Sequence, residues 1–337
     1  MNAAIETREL TKRFRRLQGY RDLLAYPWRR ASLLAVDGIS LRIEQGELFG
    51  LLGQNGAGKT TLIRMLSTTL LPSAGRAVVA GHDVQRAPHA VRRRIGLITG
   101  DERSFFLRLT GRQNLEFFAA LFRVRPADAR RRVEALAGEL GLAAHLDRPF
   151  NQYSSGMRQK LAIMRGLLTE PEILFMDEPT RSLDPVSAHA VRRFVVDHVI
   201  GELGCTVVLA THSTVEAEEL CHRVALIRDG ALAGLGTIAE LRARIAPRDE
   251  AEIRVRQLTP GLLSALGSLS VVRAVRVEPN GTSMKLRIRL AEPDVLNAVL
   301  ARVLEEGALV TGCSTEQASL EDIYLATHAP NAWGEQS

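Results

Sequence analysis

Apolar residues recur along this chain with three spacings, and each predicts a different element. Short continuous apolar runs at 47–52, 173–176, 206–210 and 224–227 have the length of strands, and the middle two that of strands buried on both faces. A helix-like stretch separates 173–176 from 206–210, the arrangement of a parallel sheet with crossover connections. Residues 41–43 read as a further strand. From 60 to 71 the spacing is helical until Pro72 and Gly75. Thr110 and Gln113 are spaced as a capping box, and Leu115, Phe118, Ala119 and Phe122 then share a helical face. Pro126 suits a first helical position, Val133, Leu136 and Leu140 follow on one face, and Gly141 closes the helix. The stretch 100–170 is therefore mainly helical. Past Pro247 the texture changes to strand (253–258), helix (260–269), two alternating segments (271–277, 284–290), helix (293–305) and strand (308–312). Pro279-Asn280-Gly281 marks a hairpin between the alternating segments, and the order βαββαβ is that of a ferredoxin-like unit.

Composition narrows the class. A length of 337 residues favours about two domains. Apolar content of 46% and charged content of 24% exclude a disordered or fibrous chain. No apolar stretch approaches the ~18 residues of a spanning helix. The first residues lack the charged-then-apolar layout of a leader, and Cys205, Cys221 and Cys313 form no CxxC pair, so reduced thiols in a cytosolic protein are expected. The net charge of +6 is unevenly placed. Residues 1–30 hold Arg8, Lys12, Arg13, Arg15, Arg16, Arg21, Arg29 and Arg30 against Glu6, Glu9 and Asp22. Such a patch suits anionic lipid, nucleic acid, an acidic partner or plain solvent, and charge alone does not choose.

Gly53-Gln54-Asn55-Gly56-Ala57-Gly58-Lys59-Thr60 fits GxxxxGK[ST], follows an apolar strand and opens a helix. Glycines there let backbone N–H groups converge on phosphate oxygens, and the helix N-terminus adds partial positive charge. Lys59 is a compact point charge for the β- and γ-phosphates, and the Thr60 hydroxyl suits Mg2+. The expected nucleotide set is Gly53, Asn55, Gly56, Ala57, Gly58, Lys59, Thr60 and Thr61. About 120 residues on, the apolar run at 173–176 ends in Asp177 and Glu178. Asp177 is placed to hold the metal, and Glu178 to orient and deprotonate an attacking water.

With these two motifs, residues 1–240 resemble the ATP-binding subunits of ABC transporters. Tyr153-Ser154-Ser155-Gly156-Met157 is similar to the family's Leu-Ser-Gly-Gly-Gln signature, Ser182-Leu183-Asp184-Pro185 to its D-loop, and His212 to its switch histidine. The resemblance implies an α/β fold, a P-loop NTPase cassette over 1–240 with a mixed-sheet core and a helical subdomain near 100–170. A ferredoxin-like α+β domain over 245–330 completes the chain. It implies ATP and Mg2+ as cofactors, Glu178 and His212 as catalytic residues, and Thr60 and Asp177 as metal ligands. Two copies would pack head to tail, each ATP facing Ser154, Ser155 and Gly156 of the other, with Asp184 communicating between them. Phe14, or Tyr20 after it, would stack on adenine. Ser155 and Met157 depart from the signature. The family's Q-loop glutamine falls at Gly100 or Asp101, so Asp101 or Glu102 would take over its contact.

An insert at about 15–34 carries Tyr20, Leu23, Leu24, Tyr26 and Trp28 among arginines, similar to an element of polysaccharide-exporter ATPases. The tail Ser319-Leu320-Glu321-Asp322-Ile323-Tyr324 is similar to that of drug-exporter ATPases. Both imply an ABC-2 type exporter with a separate transmembrane permease, the ATPase lying in the cytoplasm on the membrane's inner face, in contact with the membrane surface and not with nucleic acid. A soluble cassette acting on ribosomes or DNA is the alternative, and it would show tandem cassettes or sustained heptads. A regulatory subunit without hydrolysis is the other, and Glu178 with His212 speaks against it.

Overall fold

The computed structural model describes residues 3–15, 32–99, 104–181, 183–244, 250–259, 261–280, 283–290, 295–316 and 319–326. Nearly all of the aromatic insert, with Tyr20, lies outside the described residues, as do Gly100, Asp101, Glu102 and Ser182. The chain divides into two compact units, Met1–Thr237 and Ile238–Ser337.

The first unit carries two sheets. β1 (Ala3–Arg15), β2 (Ser32–Glu44), β4 (Ala74–Val79) and β5 (His82–Asp83) form an antiparallel sheet in the order β2-β1-β4-β5. The second sheet contains β3 (Leu48–Leu52), β6 (Ile95–Thr99), β7 (Ile173–Asp177), β8 (Thr206–Thr211), β9 (Arg223–Arg228) and β10 (Ala231–Gly236), in the order β10-β9-β3-β8-β7-β6. From β9 to β6 the neighbours run parallel, and β10 returns antiparallel across Asp229 and Gly230, both at positive φ. Every residue of β3, β7 and β8 is buried, which is why these strands read as continuous apolar runs. Phe49, Phe175 and Ile5 are fully buried between the layers, each contributing about 2–3 kcal/mol by leaving water.

Helices cover these sheets and build the middle of the unit: α1 (Lys59–Leu66), α2 (Pro88–Arg92), α3 (Gly111–Leu121), α4 (Pro126–Glu139), α5 (Ser155–Leu167), α6 (Pro185–Phe194) and α7 (Thr214–Leu220). The Thr110–Gln113 capping box forms in both directions. α1 is shorter than its pattern suggests, because Thr68 takes a left-handed φ of 62° and Thr69 and Leu70 turn back onto the Arg64 carbonyl. Phe122 stays beside Phe118, with ring centres 6.2 Å apart and its N–H donated to the Phe118 carbonyl at 2.9 Å, but at the end of α3 it is 45% exposed while Leu115 is fully buried.

The second unit begins with α8 (Ile238–Arg244) and continues β11 (Glu250–Val255), α9 (Leu262–Gly267), β12 (Val272–Asn280), β13 (Ser283–Leu290), α10 (Leu296–Glu305), β14 (Val310–Glu316) and α11 (Leu320–Ala326). Its sheet has the order β12-β13-β11-β14 with every neighbouring pair antiparallel, the split βαβ arrangement of a ferredoxin-like fold. Ile253, Val255, Leu286, Ile288, Val299 and Val303 form its own core. β11 lies three residues earlier than its apolar pattern suggests, its register set by pairing Ile253 with Leu286.

Candidate active site

Strand register gathers the site. β8 lies between β3 and β7, with Leu51 opposite Ala210 and Ala210 opposite Asp177. Three strands therefore end level, and the segments that follow them meet in the crevice at the carboxyl edge of the sheet. Those segments are the glycine loop after β3, Glu178 after β7 and His212 after β8.

The glycine loop is sterically specified. A Cβ on Gly53 would lie 2.4 Å from the Ile227 carbonyl oxygen, and one on Gly58 would lie 2.4 Å from that of Ala35. Gly58, at φ 109°, caps α1, so the first turn starts with Lys59 and carries no acidic residue. The helix's unpaired N–H groups thus face the crevice without a competing carboxylate.

Lys59 is 5% exposed. Its Nζ donates to the Gly53 and Gln54 carbonyls at 2.5 and 3.1 Å and lies 3.8 Å from Glu178 Oε1. Burial lowers its pKa, and Glu178 and Asp177 oppose that shift. The Asp177 carboxyl is pushed up by burial, against a hydrogen bond from Thr60. One of its oxygens, Oδ1, is buried without a hydrogen-bond partner. A buried carboxylate oxygen left over beside a threonine hydroxyl is an all-oxygen donor set, which fits a hard divalent cation such as Mg2+. No group of three His, Cys, Asp or Glu capable of holding a metal occurs among the described residues, so phosphate and water oxygens would have to complete the shell.

Glu178 has a left-handed backbone, φ 53°, and its N–H donates to the Ala210 carbonyl at 2.9 Å. Its Oε2 is hydrogen-bonded to His212 Nδ1 at 2.5 Å. One carboxylate thus faces the lysine with one oxygen and the histidine with the other.

A cavity of about 1070 Å³ opens over this group. Phe14, Asn55, Gly56, Gly58, Lys59, Thr60, Thr61, Ser155, Asp177 and Glu178 line it. Phe14 sits at its rim beside Leu33, 37% exposed, with the Lys12 ammonium 5.2 Å from its ring centre. Gly53, Ala57, Ser154, Gly156, Asp184 and His212 are not in its lining. Gly53 and Ala57 shape the loop from behind. Ser154 caps α5, its Oγ accepting from Met157 N at 3.3 Å. Asp184 caps α6, accepting from Val186 N and Ser187 N at 3.1 and 3.0 Å; a hydrogen bond from the Ser187 hydroxyl, and then these two, hold its carboxyl below the usual range. Gly156 lies against α6, where a Cβ would meet Ser187 Oγ at 3.0 Å.

Sequence reasoning missed Gln159, 7% exposed and lining the cavity, whose Nε2 has no partner. Its signal was the spacing of four from Ser155 on the same helix. The exposed side chains of Phe106, Leu107, Phe117, Leu121 and Phe122 were also unforeseen as a surface. They gather around α3, with the Phe106 and Phe117 rings 4.9 Å apart. Among the described residues, no helix is long and apolar enough to cross a membrane.

Comparison with known proteins agrees with this geometry. The ABC transporter family matches residues 36–181. Daunorubicin resistance ATP-binding protein DrrA3 of Streptomyces coeruleorubidus is 38% identical over 291 residues, 86% of this chain and 90% of the relative. That alignment exceeds the first unit and enters the second. ABC transporter ATP-binding protein NatA of Bacillus subtilis is 35% identical over 228 residues, 68% of this chain and 92% of its own length. Among solved structures, cbiO1 of Clostridium perfringens, part of the ABC transporter complex cbiONQ, superposes with a TM-score of 0.61 at 26% identity, covering 72% of this chain and 92% of its own.

Proposed function

Because the chain belongs to the ATP-binding subunits of ABC transporters, binding and hydrolysing ATP as they do, we propose that it powers an ABC-2 type exporter through a separate transmembrane permease. ABC ATPases act as dimers, and two copies of this chain are the simplest pair. The observation that carries the reading is the contact chain Lys59–Glu178–His212 across the ends of three adjacent strands.

Lys59 and the amides of the glycine loop hold the phosphates. Phe14 supplies a face for adenine. Glu178 accepts a proton from the attacking water as that water bonds to the γ-phosphorus, and the bond to the β-phosphate oxygen breaks. His212 fixes the Glu178 carboxylate through Nδ1. Thr60 and Asp177 would hold Mg2+, which neutralises charge on the phosphate oxygens when bound. A second copy brings the start of its α5, the Ser154 hydroxyl and the Gly156 amide, to the γ-phosphate at a helix N-terminus. ATP-induced closure of this dimer drives alternating access in the permease, and hydrolysis resets it.

The exposed aromatic surface around α3 is the docking face for the permease. Contiguous apolar side chains in contact with one another mark a partner site better than scattered ones. On this reading the ATPase is held on the cytoplasmic face of the membrane, and the cationic residues in the sequence of 15–34 add attraction to anionic lipid headgroups. Reconstitution with a candidate ABC-2 permease in vesicles tests the assignment. ATP turnover should rise over that of the chain alone, and Phe117→Ser with Leu121→Ser should abolish the increase while basal turnover stays. Equal turnover with and without the permease would remove the exporter reading and leave the ATPase.

A further inference from the structure

Ser213 and Glu216 have the spacing of a reciprocal helix cap, in which the acid turns back to the N–H of the serine. Only half of that cap forms. Glu216 N donates to Ser213 Oγ at 3.2 Å, but Ser213 N donates to Thr211 Oγ1 at 3.0 Å. The Glu216 carboxylate instead crosses to another segment, where Oε1 accepts from Thr180 Oγ1 at 2.7 Å. It does so at 3% exposure, in a pocket it shares with Leu48, Met176, Val207 and Leu209. Burying a carboxylate among aliphatic side chains is unfavourable, and an ordinary helix cap would have left it in water. Arg192 lines the same pocket, with its Nε 3.2 Å from Glu219.

The position of Thr180 gives this contact its meaning. It lies two residues past Glu178, whose left-handed backbone persists only where neighbours over-determine it. Ala210 accepts the Glu178 N–H, and the turn closes through Leu183 N to Thr180 O at 3.1 Å. Glu216 lies on the helix that starts directly after His212. Two hydrogen bonds therefore join the same two segments, His212 to Glu178 and Thr180 to Glu216. The first joins groups near the cavity, and the second sits behind them in the pocket.

We propose that Glu216 is a positioning residue for ATP hydrolysis: through Thr180 it fixes the 178–180 turn against the 212–216 turn, so that the Glu178 carboxylate and His212 meet in register. The proposal rests on the role assigned to Glu178 above. It makes no contact between Glu216 and the nucleotide, so it separates turnover from binding.

The test uses the full chain with Mg-ATP. Glu216→Ala and Thr180→Val should each lower kcat by about tenfold or more while KM and nucleotide Kd stay within about twofold. Glu216→Gln and Thr180→Ser keep an acceptor and a donor, and should recover kcat to within about threefold of the wild type. The double variant Glu216→Ala with Thr180→Val should be no slower than the worse single, the mark of one shared contact. Wild-type kcat per folded molecule in both single variants overturns the proposal, as does a loss that the conservative variants fail to restore, or effects that multiply in the double variant. Should Glu216→Ala fail to fold, Thr180→Val decides by the same criteria. Glu178→Gln measured alongside keeps two failures apart. Full turnover there removes the role of Glu178, whereas lost turnover there with wild-type kcat in the other two removes only the positioning role.

Discussion

The glycine-loop cluster and the helix-start cluster carry the same kinds of polar group and use them in opposite ways. Lys59, Asp177 and Glu178 are buried or nearly so, lie against one another, and leave Asp177 Oδ1 with no protein partner. Ser154 and Asp184 are exposed, and each gives its oxygen to the N–H groups of the helix it starts. The first cluster is locally unsatisfied, so a ligand with negative oxygens and a cation completes it. The second is satisfied at rest and keeps its geometry without a ligand, as a surface must if another copy is to close on it. A binding cradle and a closing face thus differ less in residue type than in whether the protein itself answers their polar atoms.

That contrast can be broken at its strongest point first. Glu178→Gln should lower ATP turnover by about 10²–10⁴-fold, the usual yield of general base catalysis, with ATP affinity retained. Near-normal turnover would put the catalytic carboxylate elsewhere. Lys59→Ala should weaken ATP binding by about 100-fold, since it removes charge-assisted bonds worth about 1.5–3 kcal/mol each. Calorimetry reads this directly, and affinity close to wild type would mean the cradle does not depend on its lysine.

On the other side the effects are smaller and fall on stability. Ser154→Ala should cost about 1 kcal/mol in a denaturant titration of the ATP-free chain, the ordinary value of a helix cap. It should also reduce ATP-driven dimerisation, and a variant that lost stability alone would make the α5 start purely structural. Asp184 gives the finest distinction. Its folded carboxyl titrates below the ordinary value of 3.8, so its contribution is fully present above that pH and is lost as pH falls through the lower folded value. Asp184→Asn keeps an acceptor for the helix and should flatten the acid limb of the stability profile there. An unchanged acid limb would show that the cap bond, not the charge, does the stabilising.

Much of this was legible in residue order, because its causes are short in range. The phosphate loop is readable since Gly58 takes a left-handed φ of 109° that glycine adopts most easily and since a lysine opens the helix directly after it. Thr110 with Gln113, and the glycine at 141 with its φ of 64°, are likewise settled within a turn of chain. The βαββαβ order of the second unit follows from alternation, although Pro279 and Asn280 pair within β12 with Met284 and Ser283. These features depend on sterics and hydrogen bonds between residues a few positions apart, which the sequence states directly.

Tertiary structure decided what lies between distant segments. That β8 inserts between β3 and β7, and so brings His212 to Glu178, follows from burying both faces of three apolar strands that are alike in sequence. That Phe122 is 45% exposed, although it continues the face of Leu115 and Phe118, depends on what packs over the end of α3 and not on its place in a helical repeat. Ser213 and Glu216 spell a helix cap, yet the carboxylate goes to Thr180, 36 residues away in sequence, because packing of α7 against the β7 turn puts that hydroxyl within 2.7 Å. Residue order determined which groups were available for chemistry; only the stacking of buried strands decided which of them touch, because burial is indifferent to sequence separation and answers to shape alone.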